Sequence, residues 1–177
     1  NEDELEIRVD ANGAFTPETA MDKLNRLAEF QIHSIEQPIA PKQWSELATL
    51  CERTPINIAL DEELIGIKDQ VEKQRCLDAI KPHYIILKPS LVGGFQSADE
   101  WTALAEERSI GWWITSALES NVGLNAIAQY AYSKKVQMPQ GLGTGGLFTN
   151  NIDSPLYIHR QSLQMNPDHI WNLHPLN

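Results

Sequence analysis

Short apolar runs alternate along the chain with longer stretches in which apolar residues return every three or four positions. The short runs fall at residues 5–10, 32–36, 56–61, 84–88, 110–116 and 136–138, are rich in Ile, Val and Leu, and read as strands. Helices are predicted between them. Thr16-Pro17-Glu18 has the form of an N-cap, a proline at the first helical position and an acid in the first turn. Ala20, Leu24, Leu27 and Ala28 then recur at helical spacing and are expected to face a sheet. Trp44, Leu47, Ala48 and Cys51 form a second such stripe, and Trp101, Leu104 and Ala105 another. One strand followed by one helix, repeated, predicts βα units on a parallel sheet.

Polar residues close the predicted strands at a regular step. Asp10, Glu36, Asp61 and Lys88 follow one another at 26, 25 and 27 residues (36 − 10, 61 − 36, 88 − 61), and the same step leads on to Thr115 and Gly141. In a (βα)8 barrel the C-terminal ends of neighbouring strands converge on one mouth, where such enzymes do their chemistry. An open doubly wound sheet would spread the same ends along a crevice. The even spacing favours the barrel. A complete barrel takes about 250 residues, so six units in 177 residues leave two readings: a partial α/β barrel whose N-terminal part is missing from this chain, or another fold. On the first reading, the first barrel strands are expected to precede Asn1.

Composition narrows the partners. The chain carries 24 acidic against 14 basic residues, a formal net charge of -10, and 42% hydrophobic residues, enough for a core. An acidic surface argues against binding nucleic acid or an anionic membrane, both of which call for clustered Lys and Arg. Metal cations are more natural partners. The two cysteines, Cys51 and Cys76, allow one disulfide at most and form no C-x-x-C motif, which disfavours a disulfide scaffold or a thiolate zinc site. The longest apolar stretch, near 110–114, is far short of a membrane span, and Asn1-Glu2-Asp3-Glu4 has neither the positive flank nor the apolar core of a secretory signal. A cytoplasmic protein is expected.

Three carboxylates at successive strand ends would repel one another without a cation between them. Mg2+ accepts oxygen ligands of this kind and fills its remaining positions with water and substrate oxygens; Asp10, Glu36 and Asp61 are therefore candidate metal ligands. Taken singly, each could equally be a solvated loop residue or a helix cap. Lys88 ends the apolar strand Tyr84-Ile85-Ile86-Leu87. It could act as a base of lowered pKa, stay cationic and stabilise a developing anion, or serve as a surface ion-pair partner.

Other motifs carry less. Gly141-Leu142-Gly143-Thr144-Gly145-Gly146 spells G-x-G-x-x-G, yet the stretch at 148–155 reads as a loop and not as the helix a dinucleotide site requires. Backbone lining a substrate mouth suits these glycines better. His33, His83, His159, His169 and His174 lack metal-ligand spacing and are expected to be structural or exposed. Trp112 and Trp113 should face opposite sides of one strand, as packing residues. Ser116 and Ser120 have no G-x-S-x-G elbow. The tail at 156–177 shows no clear period.

Arg8-Val9-Asp10-Ala11-Asn12, Ser34-Ile35-Glu36-Gln37-Pro38, Ala59-Leu60-Asp61-Glu62 and Leu87-Lys88-Pro89 with Gly93-Gly94 together resemble the metal-binding and catalytic-lysine strands of the enolase superfamily, in particular its muconate-lactonizing subgroup. Within that subgroup, Thr115-Ser116-Ala117-Leu118-Glu119-Ser120 with Gly123-Leu124, and Gln140-Gly141-Leu142-Gly143-Thr144 with Leu147-Phe148, are similar to the o-succinylbenzoate synthases. The resemblance runs from 7 to about 148 and implies a single α/β barrel domain over 1–177, incomplete and holding strands 3 to 8. It implies that Asp10, Glu36 and Asp61 bind Mg2+, with Mn2+ as an alternative, and that this ion holds a substrate carboxylate and stabilises an enediolate. It further implies that Lys88 stabilises the anion as a cation, that Arg8 and Asn12 lie near the substrate, and that Thr115, Ser116 and Gly141 meet its succinyl tail. The implied reaction is syn dehydration of 2-succinyl-6-hydroxy-2,4-cyclohexadiene-1-carboxylate to o-succinylbenzoate in menaquinone biosynthesis.

The sequence also departs from that pattern. The superfamily carries a Lys-x-Lys pair on the second barrel strand, whose second lysine is the base, and an N-terminal capping domain; both are expected before Asn1, so the 177 residues alone should have little or no activity. Two other readings stay open. One is an N-acylamino-acid racemase or dipeptide epimerase of the same superfamily, and the other is a base-less barrel remnant that binds a carboxylate or a partner protein. Oligomeric state is not predicted.

Overall fold

The computed structural model describes residues 6–172. Leu5 of the first predicted strand, the N-terminal acids and His174 lie outside the described residues. The elements in chain order are β1 (Arg8–Asp10), α1 (Pro17–Ala28), β2 (Ser34–Glu36), α2 (Trp44–Arg53), β3 (Asn57–Leu60), a 3-10 turn (Glu62–Leu64), α3 (Gln70–Ile80), β4 (Tyr84–Leu87), α4 (Pro89–Val92), α5 (Gly94–Glu106), β5 (Gly111–Ile114), α6 (Asn121–Ser133), a second 3-10 turn (Gly143–Leu147), β6 (Leu156–His159) and β7 (Ser162–Met165). Two compact units divide the chain, one comprising Asn1–Leu87 with Leu91–Trp112, the other Lys88–Ser90 with Trp113–Asn177.

The main sheet has its strands in chain order, β1-β2-β3-β4-β5, of which β1 to β4 and the start of β5 belong to the first unit. The pairs β1–β2, β2–β3 and β3–β4 are parallel. Parallel neighbours need a crossover, and each is a helix, as the alternating pattern predicts. Ile58, Ala59 and Leu60 of β3 and Ile85, Ile86 and Leu87 of β4 are fully buried, the continuous apolar run of a sheet covered on both faces. Ala20 and Leu24 of α1, Leu47, Leu50 and Cys51 of α2, Cys76, Leu77 and Ile80 of α3, and Trp101, Leu104 and Ala105 of α5 complete the core. Leu27, Ala28 and Ala48 are only half-buried, at the margins of their stripes. Thr16 holds the N-cap position of α1 without a side-chain cap; its hydroxyl is 3.1 Å from that of Thr19 instead. The side chain of Asp69 does cap α3, accepting from Glu72 N at 3.1 Å, and Lys81 in the left-handed region (φ 52) ends the helix.

A buried lysine joins α3 to α5. Lys73 is fully buried, and its Nζ donates to Ser97 Oγ at 2.6 Å and Glu100 Oε2 at 2.7 Å while lying 5.5 Å from the centre of the Trp101 ring. Its stem fills core volume, so Lys73→Ala should destabilise the intact protein by about 2–5 kcal/mol through the cavity left behind. Lys73→Met preserves the stem, and Glu100 is exposed enough to turn to water, so its cost should stay within about 1.5 kcal/mol. Urea unfolding of the two variants checks this; equal losses would mean that the charge and not the volume holds the helices.

Cys51 and Cys76 are both free and buried. Burial pushes each thiol up to about 12, so both are neutral packing groups at physiological pH.

In the second unit, α6 buries Leu124, Ile127 and Ala131. The predicted strand at 136–138 is absent. Lys135 is in the left-handed region (φ 54), Pro139 has no amide hydrogen, and the pairing comes three residues later as a single parallel bridge, Thr115↔Gly141. Ile114 N donates to the side-chain Oε1 of Gln140 at 2.7 Å, so an amide side chain occupies a place the strand backbone would have taken. The tail, featureless in sequence, forms an antiparallel hairpin, β6–β7, turning through Arg160 (φ 54) and Gln161. Among the described residues no helix is long and apolar enough to cross a membrane.

Candidate functional site

Register puts the acidic residues of the first unit together. Asp10 pairs with Glu36 and Glu36 with Ala59, so the last residues of β1 and β2 stand level at the C-terminal edge. Asp61 directly follows Leu60, the last residue of β3, so the three candidate carboxylates stand at or just beyond the ends of three consecutive strands. Asp61 is buried, Glu36 half-buried and Asp10 exposed.

Each is anchored by its surroundings. Asp10 Oδ1 accepts from Asn12 N at 2.8 Å and Oδ2 from Asn12 Nδ2 at 2.5 Å, a turn closed on itself with Asn12 at φ 45. Asn12 Nδ2 also reaches Glu62 Oε1 at 3.4 Å and so ties the loop after β1 to the loop after β3. Arg8, two residues before Asp10, pairs with Glu6 at 2.7 Å. Asp61 opens the 3-10 turn Glu62–Leu64.

Among the described residues, no group of three or more His, Cys, Asp or Glu side chains stands placed to hold a metal ion as it is. The donor set nevertheless suits a hard divalent cation: carboxylate oxygens on adjacent strand ends, with no thiolate or imidazole among them. Mg2+ takes few protein ligands, and Mn2+ accepts the same oxygens.

The second unit gathers the other candidates. Lys88 directly follows the last residue of β4 and is half-buried. Thr115 Oγ1 donates to Gly141 O at 2.8 Å, Ser116 N donates to Gly141 O at 3.1 Å, and Gly141 N donates to Ile114 O at 2.9 Å. A Cβ on Gly141 would collide with Thr115 Oγ1, so only glycine fits. The hydroxyl of Ser116 is hydrogen-bonded to that of Thr144. Glu119 accepts from Ala117 N at 2.7 Å and Ser90 Oγ at 2.5 Å, holding the turn after β5 against the segment after Lys88. The glycines at 143–147 form a 3-10 turn, with no long helix on which a dinucleotide could rest.

Among the described residues, the histidines have the structural or exposed roles expected of them. His83 Nδ1 accepts from Ile58 N at 3.1 Å, and burial lowers the pKa of its ring; His33 lies beside Ser34, and His169 beside Asp153. His159 is exposed.

A profile of enolase C-terminal domain-like proteins matches residues 1–158. The chain belongs to that family. An o-succinylbenzoate synthase from Desulfotalea psychrophila is 61% identical over 155 residues, covering 88% of this chain and 42% of the relative. The crystal structure of MenC from the same organism superposes with a TM-score of 0.84 at 61% identity, over 87% of this chain and 43% of that one. The muconate lactonizing enzyme from Pseudomonas putida gives a TM-score of 0.80 at 25% identity, over 92% and 45%. This enolase C-terminal domain-like chain thus spans less than half the length of the relatives it matches, as the partial-barrel reading requires.

Two buried polar residues beside the candidate ligands were not singled out from sequence. Gln37 is fully buried and Glu63 is 3% exposed. Glu63 Oε1 accepts from Trp44 Nε1 at 2.7 Å and Lys42 N at 2.9 Å, and its Oε2 from Gln37 Nε2 at 3.5 Å. The one signal in the sequence was an amide side chain wedged between Glu36 and Pro38 in an otherwise apolar run.

Proposed function

We propose that the protein carrying this chain is an o-succinylbenzoate synthase, which dehydrates 2-succinyl-6-hydroxy-2,4-cyclohexadiene-1-carboxylate in menaquinone biosynthesis, in the cytoplasm. The observation that carries this reading is the 61% identity over 155 residues to a synthase of that name, a stretch long enough to take in most of the strand-end motifs. Asp10, Glu36 and Asp61 would hold a divalent cation, Mg2+ or Mn2+. When bound, the cation supplies positive charge at the substrate carboxylate, which acidifies the adjacent carbon.

The remaining work falls to side chains. A general base of the intact protein takes the proton beside the carboxylate, which places negative charge on the substrate, and the ammonium of Lys88 stabilises that charge. The neighbouring C–O bond then breaks, the protonated base returns its proton to the departing hydroxyl, which leaves as water, and the ring becomes aromatic. Arg8 on β1 and Asn12 in the turn after Asp10 orient the carboxylate end. Thr115, Ser116 and the bare backbone of Gly141 meet the succinyl end. The substrate is a small carboxylate, and neither nucleic acid nor membrane takes part.

The test is turnover by the intact protein. Formation of o-succinylbenzoate should require Mg2+ or Mn2+, stop with EDTA and resume when metal is restored. Racemisation of N-acyl amino acids without dehydration would instead assign the racemase or epimerase activity. No turnover of either substrate by metal-loaded protein would favour a carboxylate-binding remnant.

A further inference from the structure

We infer that Gln37 is a positioning residue that sets the placement of two of the proposed metal ligands at once, with Glu63 as the group that fixes its orientation. The inference rests on the metal-site reading above and adds a residue to it.

Gln37 directly follows Glu36, and its backbone lies between the other two ligand loops. Its N–H donates to Ala59 O at 2.9 Å, and its carbonyl accepts from Gly13 N at 2.7 Å. Its side chain continues the same linkage. Oε1 accepts from both Asp61 N at 3.3 Å and Glu63 N at 3.2 Å, while Nε2 donates to Ile39 O at 3.0 Å and Glu63 Oε2 at 3.5 Å. Both ends of one buried amide are used, and the orientation of the amide matters: reversed, its NH2 group would face two backbone N–H donors.

Glu63 prevents that reversal. Its carboxylate accepts from Lys42 N at 2.9 and 3.1 Å and from Trp44 Nε1 at 2.7 Å, so it is held in place by the loop before α2. A carboxylate only accepts hydrogen bonds, so the Gln37 group facing it must be the donor NH2, and Oε1 is left to face the Asp61 turn. The backbone adds a second sign. Gln37 sits at φ 37, in the left-handed region, a conformation that a non-glycine residue keeps only when its surroundings enforce it. Asp61 itself departs from strand geometry at φ -127, ψ -79, so its placement depends on what holds the turn, and Gln37 Oε1 caps the amides on either side of Glu62.

Mn2+ binding to the intact protein, followed by electron paramagnetic resonance without substrate and well below the unfolding transition, separates positioning from structure. Three variants are compared with the wild type. Asp61→Asn should lose Mn2+ binding outright. Gln37→Met keeps the volume and removes both hydrogen-bonding ends, and should weaken Mn2+ about 10–100-fold, the usual effect of removing a group that orients a ligand. Glu63→Gln places a second NH2 against that of Gln37 and should weaken Mn2+ in the same way; it decides the matter if Gln37→Met does not fold. Excess Mn2+ should restore kcat in both. A merely structural role would lower Tm and leave Mn2+ affinity within about twofold of wild type, and that result overturns the inference. If Asp61→Asn keeps its metal, the site reading itself fails, and the inference with it.

Discussion

Asp61→Asn in the intact protein should abolish metal-dependent dehydration, lowering kcat/KM by at least about 10³-fold. A bound divalent cation is worth several kcal/mol of transition-state charge stabilisation, and each 1.36 kcal/mol is a factor of ten. Of the three carboxylates, Asp61 is the most exacting position. It is 3% exposed and held at the head of the turn that Gln37 caps, whereas the exposed Asp10 shares both its oxygens with Asn12. Asparagine preserves shape and removes the charge, so the fold should survive. Adding Mg2+ should then raise the wild-type Tm, by linkage worth about 2.7 kcal/mol at a concentration of 100 Kd, and leave the variant unmoved. Activity measured together with thermal denaturation in Mg2+ and in EDTA gives both results; a variant that turns over normally or keeps the Mg2+-dependent rise removes Asp61 from the metal site.

The residues that sequence periodicity brought out were those at strand ends. Asp10, Glu36, Asp61 and Lys88 each fall on the last residue of a strand or the first beyond it, because a parallel sheet with helical crossovers repeats at one βα unit and its exposed C-terminal edge is the place for polar groups. Five strands were legible for the same reason: Ile58–Ala59–Leu60 and Ile85–Ile86–Leu87 can only be covered on both faces. The sixth was not, since the pairing at Gly141 is one residue long and Gln140 contributes a side chain where a strand would contribute backbone. The hairpin β6–β7 was missed because its turn, Arg160–Gln161, has none of the glycine or asparagine that marks such turns, although Leu156, Ile158, Leu163 and Met165 alternate along it. Gln37 and Glu63 were hidden for a different reason. Their role consists largely of hydrogen bonds between residues 19 to 26 positions apart, which no local pattern records.

Lys88→Ala should be nearly as severe as the loss of Asp61 and should differ from it in kind. Lys88 emerges from Ile85–Ile86–Leu87, all fully buried, and precedes the buried Pro89, so its stem is fixed by rigid backbone on either side. A cation held in this way meets a developing charge without reorganisation, and removing one such group costs about 10²–10³-fold in kcat. The interaction matters when charge appears on the substrate, so kcat and kcat/KM should fall together while KM changes little. Lys88→Arg retains charge but spreads it over a wider, planar group; it should recover a small part of the rate. Exchange of the substrate's α-proton with deuterated solvent gives a second readout that does not require dehydration. If Lys88→Ala exchanges that proton at the wild-type rate, the lysine has no share in stabilising the anion, and its place at the strand end is structural.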